Sequence, residues 1–186
     1  VYRRLGNRRG EMNTLIEIGS TMYYALSPEA MGRARQAELI ARDIGDRPAI
    51  ARILRLRGNI MLQAGDVLAA AEALEEASAI SRAVGNQKGE ARSLQNAGSA
   101  YRRRGDLEKA IANYERALPL ARAANDHATT LGVLNNMGVV YKMLGAHDRA
   151  MTAFELALAD ARATNDERSL QGILANLGNL HRELGD

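Results

Sequence analysis

The sequence has no cysteine, no tryptophan, one phenylalanine and three prolines in 186 residues. Without cysteine there is no disulfide framework, no thiolate metal site and no thiol nucleophile. No apolar run approaches the ~18 residues needed to cross a bilayer. Nor does the N-terminus carry the charged, apolar and small-residue order of an export signal, so a cytoplasmic protein without membrane attachment is expected. Neither sign of charge dominates: 25 Lys and Arg against 22 Asp and Glu leave +3, too small an excess to indicate a nucleic-acid protein by itself. His127, His147 and His181 lack the spacing of a zinc site, and there is no Gly-x-Ser-x-Gly, phosphate loop or carboxylate pair flanking a cleft. No metal, no cofactor and no enzymatic activity are expected. What is abundant is alanine, 33 residues, and glycine, 17. A core made mostly of alanine must bring helices very close together.

The chain repeats itself every 40 residues. Gly58, Gly98, Gly138 and Gly178 form one column, and Gly65, Gly105, Gly145 and Gly185 another, seven residues later. The same period carries Leu54, Leu94, Leu134 and Leu174, then Ala30, Ala70, Ala110 and Ala150, and then Ala37, Ala77, Ala117 and Ala157. Arg42, Arg82, Arg122 and Arg162 share it as well. A second punctuation column reads Gly45-Asp46, Gly85-Asn86, Asn125-Asp126 and Asn165-Asp166, with Gly6-Asn7 one residue out of phase. A fixed period of this length is the signature of a repeat architecture.

Between the marks the apolar spacing is helical: Leu131, Leu134, Gly138 and Tyr141 in one segment, Ala150, Phe154, Ala157, Leu158 and Ala161 in the next. Each repeat therefore reads as two helices of roughly 16 to 18 residues, about 25 Å long. Glycine ends a helix in the left-handed conformation and Asp caps the next one. Ser27-Pro28 reads as an N-cap and first-turn proline, and Pro119 falls inside a helix that it should bend near Glu115. Gly98, Ala110 and Ala117 are expected to let the two helices of a repeat approach, while Tyr101, Tyr114 and Leu118 fill the gaps between repeats. The expected fold class is all-α, a solenoid of antiparallel helix pairs in one domain over residues 1–186. Its repeats span about 8–45, 47–85, 87–125 and 127–165; residues 1–5 end a preceding helix, and 167–186 form the first helix of a further repeat.

Leu134, Gly138, Tyr141, Gly145, Ala150, Phe154 and Ala157 resemble the tetratricopeptide repeat, and Leu94, Gly98, Tyr101, Gly105, Ala110, Tyr114 and Ala117 match it equally. The 40-residue form is similar to repeats in bacterial signalling proteins. The first repeat departs from the pattern with Ala25-Leu26 in place of Gly-Asp, and Met61 and His181 stand where the tyrosine does elsewhere. The resemblance implies a right-handed superhelix with first helices lining a concave groove. It implies a role in holding a peptide or protein segment, as the sensing or adaptor part of a larger regulatory protein.

On the first helices, the face opposite the packing residues presents Arg52, Arg55 and Asn59; Arg92, Asn96, Ser99 and Arg102; Asn136 and Lys142; and Asn176, Asn179 and Arg182. Asn96, Asn136 and Asn176 recur every 40 residues; amides that donate and accept can grip an extended backbone, or bond a neighbouring helix and fix the repeat spacing. Residues 47–64 hold four Arg and no acid, and 88–104 five Lys or Arg and one Glu, whereas 67–83 hold three Glu and one Arg. A basic groove would draw an acidic segment; the commoner meaning of such a run is a solvated face. Arg55, Asn59 and Asn96 resemble part of the clamp with which some family members bind a terminal carboxylate, but Gly132 and Asn136 stand where further basic residues are needed, which favours an internal acidic or mixed segment. Nucleic acid is the weaker alternative, because the face offers no aromatic stacking platform. A purely structural, self-associating array is another: Leu174, Leu177 and Leu180 would lie bare at the end of the series, so end-to-end association is expected.

Overall fold

The computed structural model describes residues 7–185. The expected helix tail at residues 1–5, Gly6 and Asp186 lie outside the described residues. Within them are nine helices and no strand: α1 Arg8–Tyr24, α2 Ala30–Asp43, α3 Arg47–Ala64, α4 Val67–Ala83, α5 Gln87–Arg104, α6 Leu107–Ala123, α7 His127–Met143, α8 His147–Ala163 and α9 Glu167–Leu184. Each helix packs on the next, and the odd-numbered, first helices also touch in series, α1 on α3, α3 on α5, α5 on α7 and α7 on α9. That second set of contacts makes a stacked array out of hairpins.

Asn7, Asp46, Asp66, Asn86 and Asp166 cap their helices, each side chain accepting a first-turn backbone N–H. At the helix ends the glycine columns adopt positive φ, for instance +85° at Gly65, and Asn125 and Asn165 adopt it in the column where Gly45 and Gly85 do. The first turn differs from expectation. Leu26 takes the left-handed conformation at φ 57°, and the helix that Ser27-Pro28 should open begins only at Ala30. The Ser27 hydroxyl accepts from the Glu29 N–H at 3.4 Å, as a cap does, and its carbonyl accepts from the Ala30 N–H at 3.2 Å. Helix α2 is accordingly 14 residues long against 17 or 18 elsewhere. Helix α6 runs through Pro119 without interruption.

The small-residue columns pack tightly, though not all as expected. Ala110, Ala117, Ala150 and Ala157 are 0 % exposed. Tyr114, expected between repeats, lies over Gly98 of its own repeat: a Cβ on Gly98 would stand 2.5 Å from the Tyr114 ring. The same holds for Phe154 over Gly138 at 2.5 Å and Leu74 over Gly58 at 2.6 Å. The glycines are thus sockets for a large side chain rather than a means of bringing two bare backbones together. Between repeats, the Tyr101 hydroxyl donates to Glu75 at 2.5 Å and the Tyr141 hydroxyl to Glu115 at 3.4 Å, while Lys109 and Arg149 cover the two ring faces. The bond to Glu75, with burial, pushes the Tyr101 phenol up to about 12. At the far end Leu177 and Leu180 are buried, so of the three leucines expected bare only Leu174 is exposed. Leu177 and Leu180 are buried where α9 packs on α7 and α8.

Candidate functional site

Three clefts step along the first helices. One of ≈ 400 Å³ is bounded by α1, α3 and α5 and lined by Asn13, Asp46, Arg52, Arg55, Lys88, Arg92 and Ser93 among others. The next, ≈ 220 Å³, lies between α3, α5 and the start of α7 and is lined by Arg55, Arg92, Gln95, Asn96 and Thr129. The third, ≈ 150 Å³, lies between α7 and α9 and holds Asn135 and Ser169 with apolar neighbours and glycines. The groove is basic at its α3–α5 end, where Arg55 and Arg92 belong to both clefts.

The cations expected in the groove have different fates. Arg92 reaches across to the buried Asp126 at the start of α7, with Nε 2.7 Å and Nη2 3.1 Å from its two carboxylate oxygens. Thr129 also donates to this carboxylate, at 2.8 Å. Burial pushes the Asp126 carboxyl up, but the bonds from Arg92 and Thr129 outweigh it and hold the group below its ordinary range. Arg52 donates to Asn13 at 3.2 Å and lies 3.9 Å from Glu17. Lys142 pairs with Glu183 at 2.9 Å, and Arg182 donates to Asn179. Arg102 approaches the Tyr114 hydroxyl, and its Nε is buried without a hydrogen bond.

Arg55 is the exception. It is half-buried and forms no hydrogen bond or ion pair among the described residues. Burial first, and the like charge of Arg92 second, push its guanidinium below the ordinary value, outweighing the attraction of Tyr24 and of the Asp126 carboxylate that Arg92 already engages. The shift leaves the group charged, since guanidinium does not deprotonate at accessible pH. A desolvated cation facing a second cation in a cleft is a receptor for an anion, and two planar guanidinium groups suit a carboxylate best.

The asparagine column bonds from helix to helix. Asn96 donates to Asn59 at 2.7 Å, Asn136 to Ser99 at 3.4 Å and Asn176 to Asn135 at 2.8 Å. Ser99 in turn lies 3.2 Å from the Tyr114 hydroxyl. Each amide NH₂ group therefore ties one first helix to the one before it. Sequence reasoning missed Lys88 in the basic cleft and missed the Arg92–Asp126 pair. It also missed the buried Glu38 at the back of the array, which accepts from Arg42 at 2.9 Å and from Arg57. Arg92 and Asp126 are 34 residues apart, and only the contact of alternate helices brings them together. His127 and His147 are the first residues of α7 and α8, and no group of three metal-ligating side chains occurs among the described residues.

The tetratricopeptide repeat family model matches residues 49–123 and 89–163, together more than half of the sequence. The chain belongs to the tetratricopeptide repeat family. Among solved structures, this tetratricopeptide array is similar to the aspartyl phosphate phosphatase F of Bacillus subtilis, with a TM-score of 0.80 and 18% identity over 92% of this chain and 50% of that one. It is similar to a signal transduction ATPase with a tetratricopeptide repeat sensor from Pyrococcus horikoshii, with a TM-score of 0.79 and 17% identity over 91% of this chain and 26% of that one. It is also similar to BtubC from P. vanneervenii, with a TM-score of 0.66 and 22% identity over 96% and 85% of the two chains. The array thus spans half the length of that phosphatase and about a quarter of that ATPase. At these identities the likeness is one of fold: a right-handed α–α superhelix of antiparallel helix pairs. Comparison with curated protein sequences finds no match. Among the described residues no helix is long and apolar enough to cross a membrane. The fold is that of a protein-interaction scaffold.

Proposed function

We propose that this array holds an acidic peptide or protein segment along its first helices, with a carboxylate of that segment seated between Arg55 and Arg92. The observation that carries the reading is Arg55, a half-buried cation that makes no hydrogen bond or contact ion pair among the described residues, although the Asp126 carboxylate attracts it at longer range, and that is shared by two adjoining clefts. Lys88 and Arg52 extend the positive field toward α1. Asn96 lines the second cleft, and its carbonyl oxygen, which carries no partner among the described residues, would accept a backbone N–H of the segment. Residues 1–186 act as one array in this reading, non-catalytic, and serve as the sensing or adaptor part of a larger bacterial regulatory protein. The likeness to an ATPase whose repeats are described as a sensor supports that role.

The test is fluorescence anisotropy with a labelled, end-blocked decapeptide rich in Asp and Glu, against its Asn and Gln counterpart. The acidic peptide should bind at least about tenfold more tightly at low salt, and the difference should shrink as salt rises past the ~10 Å screening length at 0.1 M. Equal binding of the two peptides, or tighter binding of a mixed-sequence DNA duplex, would overturn the reading.

A further inference from the structure

Four residues of one column open first helices: Asp46 before α3, Asn86 before α5, Asp126 before α7 and Asp166 before α9. Asp46, Asn86 and Asp166 cap, each accepting the backbone N–H three residues on, at 3.1, 2.9 and 3.0 Å. Asp126 does not. Pairing with an arginine is not in itself the reason: Asp46 pairs with Arg9 through one oxygen at 3.1 Å and caps α3 with the other. Arg92 approaches Asp126 side-on and takes both oxygens, one with Nε and one with Nη2. The cap is given up for the pair.

The register places this pair at one point of the array. The residue 34 places before Asp166 is Gly132, so no arginine reaches across from there and the carboxylate caps α9. The residue 34 places before Asn86 is Arg52, which meets a neutral amide and donates to Asn13 instead. Thr129 braces the arrangement, its hydroxyl donating to the Asp126 carboxylate at 2.8 Å, and both residues are buried. Ala49 and Gly89 stand at its position in the earlier repeats and offer no hydroxyl.

A guanidinium held along its Nε–Nη2 side keeps another edge free. Nη1 of Arg92 has no hydrogen-bond partner among the described residues, and the side chain lines both clefts beside Arg55. An arginine already fixed in plane and rotamer loses little freedom when it bonds a carboxylate, and an unfixed one loses more. Asp126 also attracts Arg55, which offsets the repulsion of two like charges in one cleft.

We propose that Asp126, braced by Thr129, is a positioning residue that presents the free edge of Arg92 to the carboxylate of the bound segment. This role rests on the groove reading above, and its effect is opposite in sign to that of charge alone. Removing a negative charge from a basic groove should tighten the binding of an acidic segment; removing the brace of Arg92 should weaken it.

The test uses the full chain and the labelled acidic decapeptide, well below the melting temperature of each variant. Asp126→Asn should weaken binding about five- to tenfold, through a faster off-rate with the on-rate unchanged or raised. Thr129→Val, isosteric and neutral, should weaken it about two- to threefold, and Thr129→Ser should restore it. In an Arg92→Gln background neither Asp126→Asn nor Thr129→Val should weaken binding further, because the brace acts only through that arginine. Binding by Asp126→Asn as tight as wild type or tighter, or the same weakening with and without Arg92, would overturn the positioning role and leave the groove reading intact. A wild-type chain that does not prefer the acidic peptide to its amide counterpart would overturn both.

Discussion

The cleft around Arg55 and the outer face of α9 are both exposed among the described residues, and their residues stand in opposite relation to the repeat. Arg55 departs from its column, in which the following repeats carry Gln95, Asn135 and Ala175. Leu174 and Gly178 keep to theirs, and are exposed only because no second helix covers them among the described residues. In this chain, agreement with the repeat encodes packing and departure from it introduces chemistry. Arg92 sharpens the point: its column changes from Arg52 and Arg92 to Gly132 and Gly172 in the later repeats, and its charge is answered by Asp126.

The largest expected effect is at a filled socket. Gly138→Leu drives a side chain into Phe154 and should cost about 1–3 kcal/mol or more, at roughly 2–4 °C of melting temperature per kcal/mol for a chain of this size. An unchanged melting temperature would break the distinction between filled and open sockets. Next is the answered charge. Asp126→Ala strands Arg92 in the groove and should cost roughly 1–3 kcal/mol at pH 7. The folded-state value for Asp126 lies below its unfolded value of 3.8, so its contribution is present above that value and is lost as pH falls through the lower one. The gap in melting temperature between wild type and Asp126→Ala should therefore persist at pH 5 and narrow only below about pH 4. Smallest is the open socket: Gly178→Leu alone should leave stability unchanged or raise it by up to about 1 kcal/mol, the helix propensity gained. A melting temperature lowered as far as in Gly138→Leu would erase the comparison.

The columns made most of the fold legible before any coordinates. Gly65, Gly105 and Gly145 end helices, Asp46 and Asp66 begin them, and the two-helix unit follows from the spacing between these marks. The first turn was legible only in part: the Ser27 hydroxyl accepts from the Glu29 N–H, but Leu26 adopts a left-handed backbone that leucine disfavours and the regular helix begins only at Ala30. Small residues at Gly98, Ala110 and Ala117 suggested mutual approach, yet whether a glycine faces alanine or a ring depends on the rotation of the partner helix, which periodicity alone leaves open. The basic character of the groove was visible in residues 47–64 and 88–104, and Arg55 was among its candidates. Which groove arginines lack a direct ion pair, Arg55 and Arg102 among them, depends on contacts between helices two places apart in the chain, such as α5 with the start of α7. The asparagine column was equally ambiguous in sequence, since bonding a peptide and bonding a neighbouring helix demand the same residue at the same period.

The most direct measurement of the central claim, that Arg55 serves a ligand and not the fold, compares Arg55→Gln with the wild-type chain in two readouts. Glutamine is the residue the next repeat carries at this position. The account predicts a melting temperature equal to or above wild type, because a desolvated cation without a partner has been removed, together with an acidic-peptide affinity lowered at least about tenfold. A lowered melting temperature with the peptide affinity intact would contradict it.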